Sequence, residues 1–201
     1  MFLRNTRASG VIPQIAVIMG PCAGGACYSP AICDFIFMVE KTSYMFITGP
    51  QVVKSVTGET ISLEELGGER VHTEKSGVAH FAYPDDRSCL EGVRTLLGYL
   101  PQNAGEQPPV MAGRAVDRSG EIEELVPQNP KKPYDVRDVI STMVDEGSFR
   151  EVQAQWAKNA VVGLGRIDGR SVGFVANQPA FMGGSLDYNC SDKMARFIRM
   201  C

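Results

Sequence analysis

The stretch Gly20-Pro21-Cys22-Ala23-Gly24-Gly25-Ala26 holds the residue types best suited to chemistry in this chain. It follows an apolar, β-branched run and precedes a segment that could start a helix. Glycines there let a ligand reach the backbone, and a helix start leaves N–H donors unpaired. Two ligands suit such a turn. One is a phosphate. The other is a carbonyl oxygen that gains negative charge during reaction, held in an oxyanion hole. There is no Gly-Lys-Ser/Thr and no G-x-G-x-x-G spacing, so the phosphate reading is the weaker. The plain structural alternative is a turn that only lets a helix pack tightly on a sheet.

Other side chains carry less. His72 and His80 have no Ser or Cys nucleophile motif beside either, so a structural or ligand-lining role is favoured over a general base. Ser29 is not in a G-x-S-x-G elbow. Asp85-Asp86 reads as a helix cap and a solvated neighbour, and Glu121, Glu123 and Glu124 as a solvated face. Trp156 reads as a core or interface anchor. The six cysteines are Cys22, Cys27, Cys33, Cys89, Cys190 and Cys201. Their spacing does not match a zinc knuckle, and both histidines lie far off in sequence, so no metal is expected. Met1 to Asn5 lack the apolar core of a secretory signal, which favours reduced thiols and a cytoplasmic location.

Elements must position the glycine turn. Val11 to Met19 reads as a strand buried on both faces, with Pro13 at its first residues. Gly20 to Ala26 reads as a tight turn, Ala26 to Cys33 as a short helix, and Asp34 to Val39 as a second strand. Thr48 is the expected N-cap of a helix ended by Gly58, and Ser62-Leu63-Glu64-Glu65 opens another as a capping box. Asp85 to about Leu100 is expected as a helix with Leu90, Val93, Leu96 and Leu97 on one face. Six of the twelve prolines fall between Pro101 and Pro133, an extended linker by composition. A helix with Asp135 as N-cap follows, then two strand runs, Ala160 to Ile167 and Arg170 to Ala176. Asp168-Gly169 joins them as a type I′ hairpin signal. Ser191 is the expected cap of a last helix.

The chain has 201 residues, 44% apolar and 21% charged, with a net charge of −3. This excludes disorder, collagen and coiled coil, and a nucleic-acid partner would call for a basic excess. Ala8 to Cys33 are 26 consecutive uncharged positions, but Pro13, Pro21 and Pro30 and four glycines break any membrane-spanning helix there, so no direct membrane insertion is expected.

The run Ser9 to Ile15, then Ile18 to Ala26 and Tyr28 to Ala31, resembles the carboxyltransferase (β) subunits of propionyl-CoA carboxylase and related acyl-CoA carboxylases and methylmalonyl-CoA decarboxylases. Ser43 to Pro50, Glu64 to Gly68, Ser76 to His80, Gly173 to Pro179 and Ala195 to Arg199 continue the resemblance in order over nearly the whole chain. It implies an α/β, crotonase-like fold, with parts of two tandem domains: residues 1–100, a Pro-rich linker at 101–133, and residues 134–201.

The implied chemistry moves a carboxylate between carboxybiotin and the α-carbon of a short-chain acyl-CoA, propionyl-CoA to methylmalonyl-CoA in class. Carboxybiotin releases CO2, biotin takes the α-proton, and the thioester enolate attacks CO2. Backbone N–H groups stabilise both anions, so no nucleophilic side chain is needed. By position, Gly24, Gly25 and Ala26 would form the oxyanion hole for the thioester, with Cys22, Ala23 and Tyr28 lining the acyl-CoA. Biotin would come on a separate carrier, with a biotin carboxylase subunit as partner and a homo-oligomer, a hexamer in the family. The other readings are a biotin-dependent methylmalonyl-CoA or glutaconyl-CoA decarboxylase subunit, a non-catalytic binding fragment, and a crotonase-type hydratase or isomerase. Relatives commonly carry a small apolar residue at position 27, often Thr at 33, and a different run at Met182-Gly183-Gly184. Family chains run well over twice this length, so the biotin-side oxyanion hole is expected beyond Cys201, and the isolated chain is expected to be poorly stable.

Overall fold

The computed structural model describes residues 1–113 and 119–201, in two units, Met1–Gln107 and Pro108–Cys201. In order, the first unit holds α1 (Phe2–Ala8), β1 (Ile15–Ile18), β2 (Pro21–Ala23), a 3-10 turn (Gly24–Cys27), α2 (Tyr28–Ala31), β3 (Phe35–Val39) and β4 (Tyr44–Phe46). Then come α3 (Pro50–Thr57), α4 (Leu63–Gly67), a π-helical turn (Val71–Lys75), β5 (Phe81–Tyr83) and α5 (Asp86–Leu97). Strands β1, β3 and β5 form one parallel sheet in the order β1-β3-β5, and β2 and β4 form a parallel pair. Successive strands therefore alternate between two sheets. Each return to a sheet must cross over, which is why the pairs are parallel.

The strand buried on both faces is β3, where Phe35 to Val39 are all at most 1% exposed. The expectation placed that role on Val11 to Met19, and the structure corrects it. Gly10 has φ +74°, and the N–H groups of Val11 and Ile12 both donate to the Ala8 carbonyl. The chain is still leaving α1 there, so Val11 and Ile12 are exposed and Pro13 lies outside the strand. Phe37 stacks on Phe81 with ring centroids 4.6 Å apart, fastening β5 to β3. Ser62 and Glu65 make the expected capping box on α4, and Gly58 ends α3 in the left-handed region. The cap of α3 is Gly49, not Thr48, with Pro50 in the first turn. In α5 the buried positions are Cys89 and Leu96, while Leu90 and Leu97 are 45% and 50% exposed. The buried face thus keeps Leu96 and the half-buried Val93 of the expected one but is rotated toward Cys89 and Gly92, and Gly92 lies so close to the Tyr83 ring that a Cβ there would clash with it.

The second unit holds α6 (Ile122–Leu125), α7 (Val136–Met143), β6 (Arg150–Val152), β7 (Ala160–Ile167), β8 (Arg170–Asn177) and α8 (Tyr188–Met200). The segment from Pro101 to Pro133 is not wholly extended, since α6 forms within it, with Glu123 and Glu124 exposed. Sheet β6-β7-β8 is antiparallel, and β7 is its buried centre. The hairpin forms as expected: Asp168 and Gly169 have φ of 50° and 75°. The Asp145 carboxylate locks it, accepting from the N–H groups of Asp168 at 3.0 Å and Gly169 at 2.7 Å. Ile140 and Val144 pack on Val161, flanked by Phe149 and Phe174. Helix α8 starts a turn earlier than expected. Asp187 is its N-cap, accepting from the Cys190 N–H at 2.9 Å, and Ser191 lies inside it with its hydroxyl on the Asp187 carbonyl.

Lys193 on α8 is fully buried. Its Nζ donates to the carbonyls of Ala160 at 2.8 Å, Trp156 at 2.9 Å and Ala157 at 3.4 Å. Trp156 is itself buried, in line with an anchoring role. Burial pushes the Lys193 ammonium down to about 8, while Glu151 opposes the shift. Glu151 is raised by its own burial, against Lys193 and Arg137. Arg137 in turn grips Asp135 through two nitrogens, at 2.9 Å and 2.6 Å, and holds its carboxyl well below the usual range.

Candidate functional site: the glycine turn

The stretch expected as one tight turn contains a strand. Pro21, Cys22 and Ala23 pair with Tyr44, Met45 and Phe46, and the 3-10 turn starts directly after Ala23. The expected helix from Ala26 to Cys33 is split into that 3-10 turn and α2. Strand β2 thus delivers Gly24, Gly25 and Ala26 to the first turn of a helical segment. A first turn has no preceding carbonyls to take its N–H groups.

The two glycines differ. Gly24 has φ +63°, a left-handed conformation that favours glycine, and so has a conformational reason to be one. Gly25 has none. Its φ is not positive, and a Cβ built on it would meet nothing within 4 Å. Gly25 and Ala26 are exposed. A turn that served only to pack a helix on a sheet would show a close neighbour at Gly25, and it shows open space.

The remaining expected site residues lie along the same segment. Ala23 is exposed, Cys22 is half-buried, and Tyr28 is 49% exposed with its ring edge-on to Phe2 at 6.0 Å. Burial, and then the neighbouring Cys27, raise the Cys22 thiol. Cys27, where relatives commonly carry a small apolar residue, is buried and makes polar contacts that such a residue could not. Its single S–H is shared between the Cys22 carbonyl at 2.8 Å and the Phe46 carbonyl at 3.0 Å, tying the 3-10 turn to both strands beneath it.

Neither histidine is placed as an acid or base at the turn. His80 is buried, and its Nδ1 accepts from the Ile36 N–H at 3.0 Å. His72 Nε2 donates to the Met45 carbonyl at 2.6 Å, because a carbonyl can only accept. All six cysteines are free thiols, and among the described residues no group of three His, Cys, Asp or Glu could hold a metal ion. A cavity of about 450 Å³ opens beside Met1, Arg4, Asn5, Ala8 and Gln14, sharing no residue with the glycine turn. No helix among the described residues is long and apolar enough to cross a membrane.

Alternating parallel strands thus bring a glycine-led helical turn to a strand end, with Gly25 and Ala26 exposed. The chain belongs to the carboxyl transferase domain family, whose model matches residues 1–201, and its fold is crotonase-like. It is 57% identical over 206 residues to the carboxyltransferase subunit of propionyl-CoA carboxylase from Haloferax mediterranei, covering all of this chain and 39% of that one. It is 54% identical over 203 residues to the methylmalonyl-CoA decarboxylase subunit alpha of Veillonella parvula, covering all of this chain and 40% of that one. Among solved structures it matches transcarboxylase 12S, a hexamer with methylmalonyl-CoA and methylmalonic acid bound, with a TM-score of 0.96 and 50% identity over all of this chain and 39% of that one. The chain therefore spans about two fifths of the length of these relatives.

Proposed function

We propose that the protein is a biotin-dependent acyl-CoA carboxyltransferase acting on short-chain acyl-CoA of the propionyl class, and that this chain supplies its acyl-CoA side. The observation that carries the reading is Gly25: a glycine at a helix start with neither a backbone nor a packing reason to be one. Its place is explained if a thioester oxygen must approach its N–H. In that role Gly24, Gly25 and Ala26 hold the oxyanion as the α-proton leaves and the enolate attacks CO2. Their N–H groups are fixed by β2 and the 3-10 turn before charge develops, so little reorganisation is needed. Cys22, Ala23 and Tyr28 line the same acyl-CoA path.

Biotin calls for a second set of open donors. Among the described residues, both long helix starts in the second unit carry aspartates, Asp135 and Asp187, whose carboxylates take first-turn N–H groups and repel an anion. These helix starts do not fit biotin. The biotinylated carrier, a biotin carboxylase subunit and a homo-hexamer belong to the same proposal, as does a cytoplasmic location. So does an allotment of 1–100 and 134–201 to two carboxyltransferase domains. The division of the chain after Gln107, within the proline-rich 101–133 stretch, supports that allotment.

The 54% identity to a methylmalonyl-CoA decarboxylase subunit favours a second reading, the same transfer run toward biotin. One assay separates the outcomes. The protein is mixed with carboxybiotin carrier, labelled in the carboxyl group, and propionyl-CoA. Label is expected in methylmalonyl-CoA. Faster transfer from methylmalonyl-CoA to free biotin carrier would favour the decarboxylase direction. Hydration or isomerisation of an enoyl-CoA without carboxyl transfer would overturn both.

A further inference from the structure

We propose that His72 is a positioning residue for carboxyl transfer, holding the glycine turn in place through the Met45 carbonyl. The inference rests on the reading of the turn as an oxyanion hole. Among the described residues strand β4 has one strand neighbour, β2, and on its outer edge one isolated bridge, Tyr44 to Gly68. The Met45 carbonyl on that edge still needs a partner, because a folded chain must satisfy its buried backbone groups. A side chain does so here. The π-helical turn, closed by the Ser76 N–H on the Val71 carbonyl at 2.9 Å, brings His72 to that edge. Such turns are rare and concentrate at functional sites.

His72 Nε2 donates to Met45 O at 2.6 Å. That fixes the tautomer, so in the neutral ring Nδ1 accepts from the Ser76 hydroxyl, 3.1 Å away. The main chain of His72 is held as well, since its carbonyl accepts from the Ala79 N–H at 3.1 Å. The contact on the strand is tight. A Cβ on Gly67 would fall 2.2 Å from the same Met45 oxygen, so the helix behind β4 approaches it as closely as a glycine allows. Met45 is the register partner of Cys22, two residues before Gly24. The line Ser76, His72, Met45, Cys22 thus ends at the turn. Cys27 ties the other side, through Cys22 O and Phe46 O.

Displacing reacting groups by about 1 Å can lower a rate roughly a hundredfold. His72→Ala in the whole protein is therefore expected to lower kcat by roughly ten- to a hundredfold, with KM for propionyl-CoA little changed, because the loss concerns charge held in the transition state. His72→Gln, whose side-chain N–H can still reach Met45 O, is expected to recover most of the loss. Added imidazoles should rescue His72→Ala to an extent that follows their fit, not their basicity. Amide exchange at Cys22 to Ala26 should quicken in His72→Ala and return toward wild type in His72→Gln. Unchanged exchange at these amides in His72→Ala would overturn the proposal. Rescue that tracks the pKa of the added imidazole would overturn it too, by making His72 a proton carrier. The exchange readout does not depend on chemistry. If the oxyanion-hole reading itself fails, Gly25 variants will be active while the exchange result stands.

Discussion

Gly25→Val is expected to lower carboxyl transfer by roughly two to three orders of magnitude, the cost of losing one oxyanion donor, about 3 kcal/mol. The same change should leave the melting temperature within about 2 °C of wild type, as for a surface substitution. The two expectations share one geometric fact. A Cβ at Gly25 enters open space, so the protein does not resist it, and in the proposed site that space holds the thioester oxygen. Gly25→Ala should lose less activity and gain a few tenths of a kcal/mol of stability, since alanine restricts the unfolded chain. Gly24 cannot serve as the test. Its φ of +63° penalises any side chain, so a lost activity there would confuse strain with a blocked site. Parallel turnover and thermal melts of Gly25→Val check the pair. Wild-type turnover would remove the oxyanion hole from Gly25, and a collapsed melt would mean that Gly25 is structural after all.

The largest effect on stability is expected at Lys193. Lys193→Met keeps the stem and removes the ammonium, taking the charged donor from the buried Trp156 and Ala160 carbonyls and one of two nearby cations from Glu151, which keeps Arg137. Breaking one partner of a buried ionic cluster costs about 3–5 kcal/mol. Denaturant unfolding of the protein should show a loss of that order, in the transition that reports the second unit. The pH dependence carries a sign. The folded pKa of Lys193 is lowered to about 8 from 10.5, so between those values the unfolded chain binds more protons than the folded one. Stability from this group therefore rises as pH goes from 8 to 10.5. Lys193→Met lacks that rise, so the gap between wild type and variant should widen over this range. A constant gap would show that Lys193 titrates alike in the folded and unfolded states.

What could be read from the sequence was what short-range chemistry decides. The Ser62–Glu65 capping box, the Asp135 and Asp85 caps, the Gly58 stop and the Asp168-Gly169 hairpin each rest on residues a few positions apart, and each formed. What depended on tertiary context was misplaced. β2 and β4 are three residues long and lack a period to detect, yet they carry the glycine turn. The both-faces-buried role went to β3 because it is central in its sheet, a fact of strand order and not of composition. Asp187 took the cap expected of Ser191 because its carboxylate reaches Cys190, and both residue types suit that position. The residues of the candidate site were legible as a contiguous motif. The supports beneath it, His72 and Cys27, were not, because a hydrogen bond from residue 72 to residue 45 leaves no spacing signal.

In the proposed site Gly24 to Ala26 polarise the thioester carbonyl of an acyl-CoA. Isotope-edited difference infrared spectroscopy of propionyl-CoA, labelled with 13C at the thioester carbon, reads that polarisation directly. Bound to the wild-type protein, the carbonyl band is expected at lower frequency than in water, and bound to Gly25→Val it should return to the solution value. A wild-type band at the solution position, or one equally shifted in Gly25→Val, would contradict the account.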